Sequence, residues 1–129
     1  QTTDSNGATL PVVPRDKLVD PAQFTLDPSW DRNAAPQVRA YNWTVSRILS
    51  SPAGVQKPMV VVNGMSPGPT IEANLGDTIL VNVKNDLGNV TTSVHWHGQY
   101  QNGTNFQDGT VGVTECGIAP GDIRTYNWT

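Results

Sequence analysis

Cysteine is almost missing from this chain. Cys116 stands alone, so no disulfide within the 129 residues can staple the fold. Histidine is nearly as scarce, with only His95 and His97. Basic residues are few, 8 Lys and Arg against 11 Asp and Glu, and they never cluster. The charge footprint of a nucleic-acid binder is therefore missing. No apolar run approaches the roughly 20 residues of a membrane-spanning helix. Neither nucleic acid nor membrane is expected as a partner. No stretch keeps a 3.6-residue hydrophobic period, and there is no internal repeat or low-complexity tract.

What is present suits a β protein. The length is that of about one domain. Hydrophobic residues make up 36% of the chain, enough for a modest core, and four Trp, three Tyr and two Phe supply bulk for it. The chain starts at Gln1 with no charged and apolar leader, which reads as a processed N-terminus. Asn42, Asn89, Asn102 and Asn127 each open an Asn-x-Thr sequon. Together they predict a secreted, extracellular glycoprotein. In an oxidising compartment a lone Cys116 reads as pairing outside the chain or as a reactive thiol, against the plainer reading of a small buried hydrophobe.

Residues 1–37 are punctuated by Pro11, Pro14, Pro21, Pro28 and Pro36, which block long helices and central strands. They read as an extended arm, pinned to its neighbours by Val12, Phe24, Leu26 and Trp30. From Val38 the pattern becomes β. Strands are expected over 41–48, 59–62, 70–74, 78–85, 92–98 and 124–129, separated by Gly, Pro and Asn turn signals. Short strands at near-regular spacing predict an all-β sandwich or barrel with antiparallel pairing. The pattern is still running at Thr129, which predicts a fragment of a larger protein, truncated or nicked.

His95 and His97 lie in the run Val94-His95-Trp96-His97-Gly98. In a strand, alternate side chains share a face, so the two imidazoles point one way and Trp96 points into the core. Neutral imidazole is the commonest side-chain metal ligand and suits copper, zinc, iron and nickel. Several readings remain open on these residues alone. A catalytic zinc site wants three protein ligands, and a cupin site wants a Glu where Gln99 to Asn102 stand. Two ordinary half-buried strand histidines fit as well. Gly98 suits a place of close backbone approach, or a simple strand end. Asp108-Gly109 reads as a turn.

The order of motifs narrows this. Val62-Asn63-Gly64, Pro67-Gly68-Pro69-Thr70-Ile71, Gly76-Asp77-Thr78, the HWHG run, Asp108-Gly109 and Thr114-Glu115-Cys116-Gly117-Ile118-Ala119-Pro120-Gly121 follow one another. The set resembles the first cupredoxin domain of the multicopper oxidases, most closely the secreted fungal laccase branch. The resemblance covers roughly residues 38–129. It implies a cupredoxin-like Greek-key β-sandwich or barrel. It implies that His95 ligates the type 2 copper and His97 a type 3 copper of a trinuclear cluster. It implies that Asp108 assists proton delivery to dioxygen, and that Cys116 pairs with a cysteine in a later domain. Where the family commonly has Gln-Cys-Pro-Ile, this chain has Glu115-Cys116-Gly117-Ile118, a change in the loop that leaves the ligands in place.

The family uses eight histidines for its cluster and a separate type 1 site, four coppers in all. This chain supplies two of the eight and no type 1 ligand, so alone it is not expected to be active. The rest of the polypeptide, or a nicked second chain, would carry the others. The whole enzyme would oxidise phenolic or similar donors and reduce O₂ to water. A ferroxidase or ascorbate-oxidase-like enzyme is the alternative within the family. A non-catalytic secreted binding module, or a zinc hydrolase site shared with a partner chain, lies outside it.

Overall fold

A computed structural model describes residues 2–3 and 7–129. Four strands form one sheet in the order β2-β1-β3-β4. They are β1 (Val38–Ser50), β2 (Lys57–Val62), β3 (Thr78–Asn85) and β4 (Ile123–Trp128). Single 3₁₀ turns at Arg15–Lys17, Pro21–Phe24 and Asn105–Gln107 are the only helical elements among the described residues. The all-β expectation holds.

Purely antiparallel pairing does not hold. β1 pairs antiparallel with β2 and β3 with β4, but β1 and β3 run parallel, from Val38↔Thr78 to Val45↔Asn85. Residues 51–77, with β2 among them, supply the reach that a parallel crossover needs. The antiparallel expectation fails here because alternation of side chains gives no information on strand direction.

The period-two pattern sorts side chains onto two faces. Tyr41, Trp43 and Val45 of β1, Val62 of β2, Ile79, Val81 and Val83 of β3, and Tyr126 and Trp128 of β4 share one. Leu87, Trp96 and Ile118, from the long 86–122 connection, close over it. Val81, Val83 and Tyr126 are completely buried. Each such side chain contributes about 1.5–3 kcal/mol through burial. On the other face Ile48, Met59 and Val61 are covered by Val13 and Leu18 of the N-terminal arm. Further along, that face carries a polar row among Ala40, Leu80 and Ile123. Asn42, Asn82 and Thr125, register partners across three strands, bond side chain to side chain at 2.9 and 2.6 Å.

The arm is held differently from its expectation. Leu10 and Leu18 are the buried anchors, whereas Val12, Phe24 and Leu26 are exposed. Val12 contributes through backbone instead: Val13 N–H donates to Leu49 O and Leu49 N–H to Pro11 O, both at 2.9 Å. Trp30 does pin the arm, donating from Nε1 to Asn74 Oδ1 at 2.8 Å.

Two expected strands are absent from the ladder. At 70–74 the backbone pairs with a side chain: the Tyr41 hydroxyl donates to Glu72 O at 3.0 Å and accepts from Glu72 N–H at 3.2 Å. At 92–98 only Thr92 makes a bridge, to Ile118. The rest of that segment is outside any ladder, turns at His97–Gly98, and finds other partners, which build the site below.

Candidate metal centre

His95 and His97 sit side by side with ring centroids 5.6 Å apart and planes at 84°. Both line an open cleft with Trp43, Leu75, Val94 and Trp128. Trp96, between them, also borders the cleft but is turned into the core. It is buried against Trp43, Tyr126 and Trp128, and its Nε1 donates to Gln107 O at 3.0 Å.

Asp108 joins the pair from the 3₁₀ turn at Asn105–Gln107. Its Oδ1 lies 2.7 Å from His95 Nδ1 and accepts from Trp96 N–H at 3.1 Å, while Oδ2 accepts from the Thr110 hydroxyl at 3.0 Å. Burial pushes this carboxyl up. The Trp96 N–H, the His95 imidazole and the Thr110 hydroxyl outweigh it, and hold Asp108 below the usual carboxylate range. An ionised Asp108 only accepts, so Nδ1 of His95 carries the proton. In the neutral imidazole this leaves the lone pair on Nε2. A carboxylate behind an imidazole in this way fixes the tautomer of a metal ligand.

The backbone around Asp108 is locked to the histidine segment. Gly109 N–H donates to Val94 O at 2.9 Å and the Ser93 hydroxyl to Gly109 O at 2.6 Å. A Cβ on Gly109 would overlap the Val94 backbone. Gly109 is therefore the position of close approach. Gly98, expected in that role, has open space around it and a φ of 87°, a left-handed conformation that glycine adopts without strain.

The Gly76-Asp77 turn reaches the same cleft. Asp77 is buried and accepts from Arg39 Nε at 2.7 Å, Gln37 N–H at 2.8 Å and Asn74 N–H at 2.9 Å. Hydrogen bonding to Arg39, then to the two amides, holds its pKa at about 2. Arg39 also lies 4.4 Å from the Trp30 ring centroid, so arm, sheet and cleft loop meet at one carboxylate.

A second buried carboxylate, Glu115, was missed in the sequence. It accepts from the Tyr126 hydroxyl at 2.8 Å and forms an ion pair with Arg124. Burial, with Glu115 adding to it, pushes the Tyr126 phenol up to about 12. The available signal was the alternation of Arg124, Tyr126 and Trp128, which puts all three on the core face. A cation there requires a buried anion. Cys116 is exposed and unpaired within the chain. Asn42, Asn89, Asn102 and Asn127 are all exposed. Among the described residues no three His, Cys, Asp or Glu side chains gather to hold a metal.

The family model described as multicopper oxidase matches residues 44–129. The chain belongs to the multicopper oxidase family. It is 45% identical to Laccase-1 of Cryptococcus neoformans var. grubii over 111 residues, 86% of this chain and 18% of that protein. It is 46% identical to the iron transport multicopper oxidase fetC of Epichloe festucae over 99 residues, 76% of this chain and 16% of that protein. The crystal structure of the laccase from Botrytis aclada superposes with a TM-score of 0.68 at 38% identity, over 74% of this chain and 18% of the other. The fold is thus the cupredoxin fold of multicopper oxidases, and the chain is laccase-like within the family. The chain spans less than a fifth of the relatives it matches. Copper is the metal of this family, and the donor set here suits it: two neighbouring imidazoles open to a cleft, one with its tautomer fixed.

Proposed function

We propose that this chain is the first domain of a laccase-like multicopper oxidase. His95 would ligate the type 2 copper and His97 a type 3 copper. The observation that carries this reading is the His95 to Asp108 contact, which leaves the outer nitrogen of His95 as a metal donor. Copper, once bound, supplies the electron transfer by which donor electrons reduce O₂ to water. The chain's own residues hold the ligands. Asp108 orients His95, Trp96 anchors the segment between the two histidines in the core, and Gly109 lets the Asp108 loop approach it. As an acceptor beside the site, Asp108 also serves the proton delivery that O₂ reduction requires.

The remaining ligands belong to the rest of the polypeptide or to a nicked second chain, and Cys116 forms a disulfide to it. Exposure of the Cys116 thiol supports that pairing. Exposure of the four sequon asparagines supports glycosylation and secretion.

Phenolic donors are the favoured reducing substrates. A ferroxidase activity is the second reading, because similarity to an iron transport oxidase equals that to a laccase over this segment. Metal analysis and oxygen uptake on the full-length protein test the proposal. About four coppers per molecule and O₂ consumption with a phenol support it. Consumption with Fe²⁺ alone selects the ferroxidase. A copper-free protein selects a non-catalytic binding module, and stoichiometric zinc a hydrolase site shared with a partner.

A further inference from the structure

We propose that the buried carboxylate of Glu115 is a positioning residue for the His95 to Asp108 pair, acting through Tyr126 and Arg124. The inference rests on the copper-ligand reading above. Glu115 touches neither residue of the pair. Its side chain is only 2% exposed, and a carboxylate so placed must have partners. Oε1 accepts from the Tyr126 hydroxyl at 2.8 Å, and Oε2 faces the Arg124 guanidinium as an ion pair without a hydrogen bond.

Each partner passes the constraint to one side of the pair. With its proton committed to Glu115, the Tyr126 hydroxyl presents lone pairs elsewhere, and it accepts from Val94 N–H at 3.1 Å. Val94 immediately precedes His95. Held beside Glu115 by charge, the rigid guanidinium fork of Arg124 donates from Nη2 to Phe106 O, 2.7 Å away. Phe106 lies in the 3₁₀ turn that ends at Asp108. One carboxylate therefore sets the two backbone segments whose side chains meet at His95 and Asp108. The β4 strand supplies the rigid base, since Tyr126 is completely buried and Arg124 and Tyr126 sit two residues apart on the same face. No proton leaves the network, so its contribution is geometric. Metal ligands tolerate little displacement, and such supports decide how well a site is made.

The test uses the full-length, copper-loaded protein. Glu115→Gln keeps size and an oxygen for Tyr126, but turns an N–H donor toward Arg124. Tyr126→Phe keeps the core packing and removes the hydroxyl that accepts from Val94 and donates to Glu115. Each is expected to lower kcat for O₂ reduction about tenfold, the scale seen when the support of a metal ligand is lost. KM for the reducing donor should not change. The hyperfine splitting of the type 2 copper EPR signal should shift while the blue type 1 absorption stays. Wild-type EPR spectra and turnover in the folded variants overturn the inference, and a lowered melting temperature with wild-type spectra reduces Glu115 to a core ion pair and overturns it equally. If Glu115→Gln fails to fold, Tyr126→Phe and Arg124→Lys decide in the same way. A wild-type protein without copper would instead sink the copper reading itself, and this inference with it.

Discussion

Asp108 Oδ1 lies 2.7 Å from Nδ1 of His95, and the same oxygen accepts from the N–H of Trp96, between the two histidines. One carboxylate thus fixes both an imidazole's tautomer and the backbone that sets the spacing of the pair. That relationship turns two adjacent histidines into a prepared half-site.

Replacing His95 or His97 by Ala in the full-length enzyme is expected to abolish O₂ reduction while leaving the blue type 1 absorption intact. Oxygen uptake and visible spectra of the two variants check this. Undiminished turnover would remove both ligand assignments.

Asp108→Asn retains the shape and loses the charge that keeps the Nδ1 proton in place. A drop in turnover of about 10–100-fold is expected, the range for partners of metal-bound histidines. The loss should deepen as pH rises and protons become scarce. A pH–rate profile parallel to wild type would argue against the proton-delivery role.

Gly109→Ala places a methyl group into the Val94 backbone. The strap between the Asp108 loop and the histidine segment must open, at a cost of about 2 kcal/mol, as for other overpacked sites. Urea unfolding measures the loss. A midpoint unchanged from wild type would mean that the two backbones are not so close.

Asp77 gives the acid limb of stability. Its pKa is lowered from 3.8 to about 2 in the folded protein, by Arg39 first. A depressed folded pKa stabilises above the unfolded value, so this contribution is complete above 3.8 and is lost as pH falls towards about 2. Asp77→Asn should flatten that part of the stability curve. Equal acid sensitivity in variant and wild type would show that Asp77 is not the group responsible.

Cys116 should resist thiol reagents in the intact protein until it is reduced, because its proposed partner lies outside this chain. Peptide mapping under non-reducing conditions checks this, and a freely labelled Cys116 would refute the disulfide. The same maps should find glycans on sequon asparagines, with Asn42 and Asn127 both on the sheet face that carries the polar row. Maps without glycan at any of the four sites would count against secretion.

Much of the fold was legible in sequence because alternation and turn residues are local properties. β3 lies where the Thr78 to Asn85 run put it, and Trp96 is buried in the core as expected. The order of short motifs was enough to point to the family and to name His95, His97 and Asp108. The parallel pairing of β1 with β3, the Tyr41 hydroxyl standing in for a strand at Glu72, and the close approach at Gly109 were not legible. Each depends on contacts between residues far apart in the chain.

The sequence by itself determined the faces: which strand side chains turn to the core, since backbone geometry alone dictates that alternation. The tertiary structure decided the partners. Only the packed sheet brings Glu115 to Tyr126 and Arg124, and Asp108 to His95, because hydrogen bonds and ion pairs need directions and distances that local pattern does not encode.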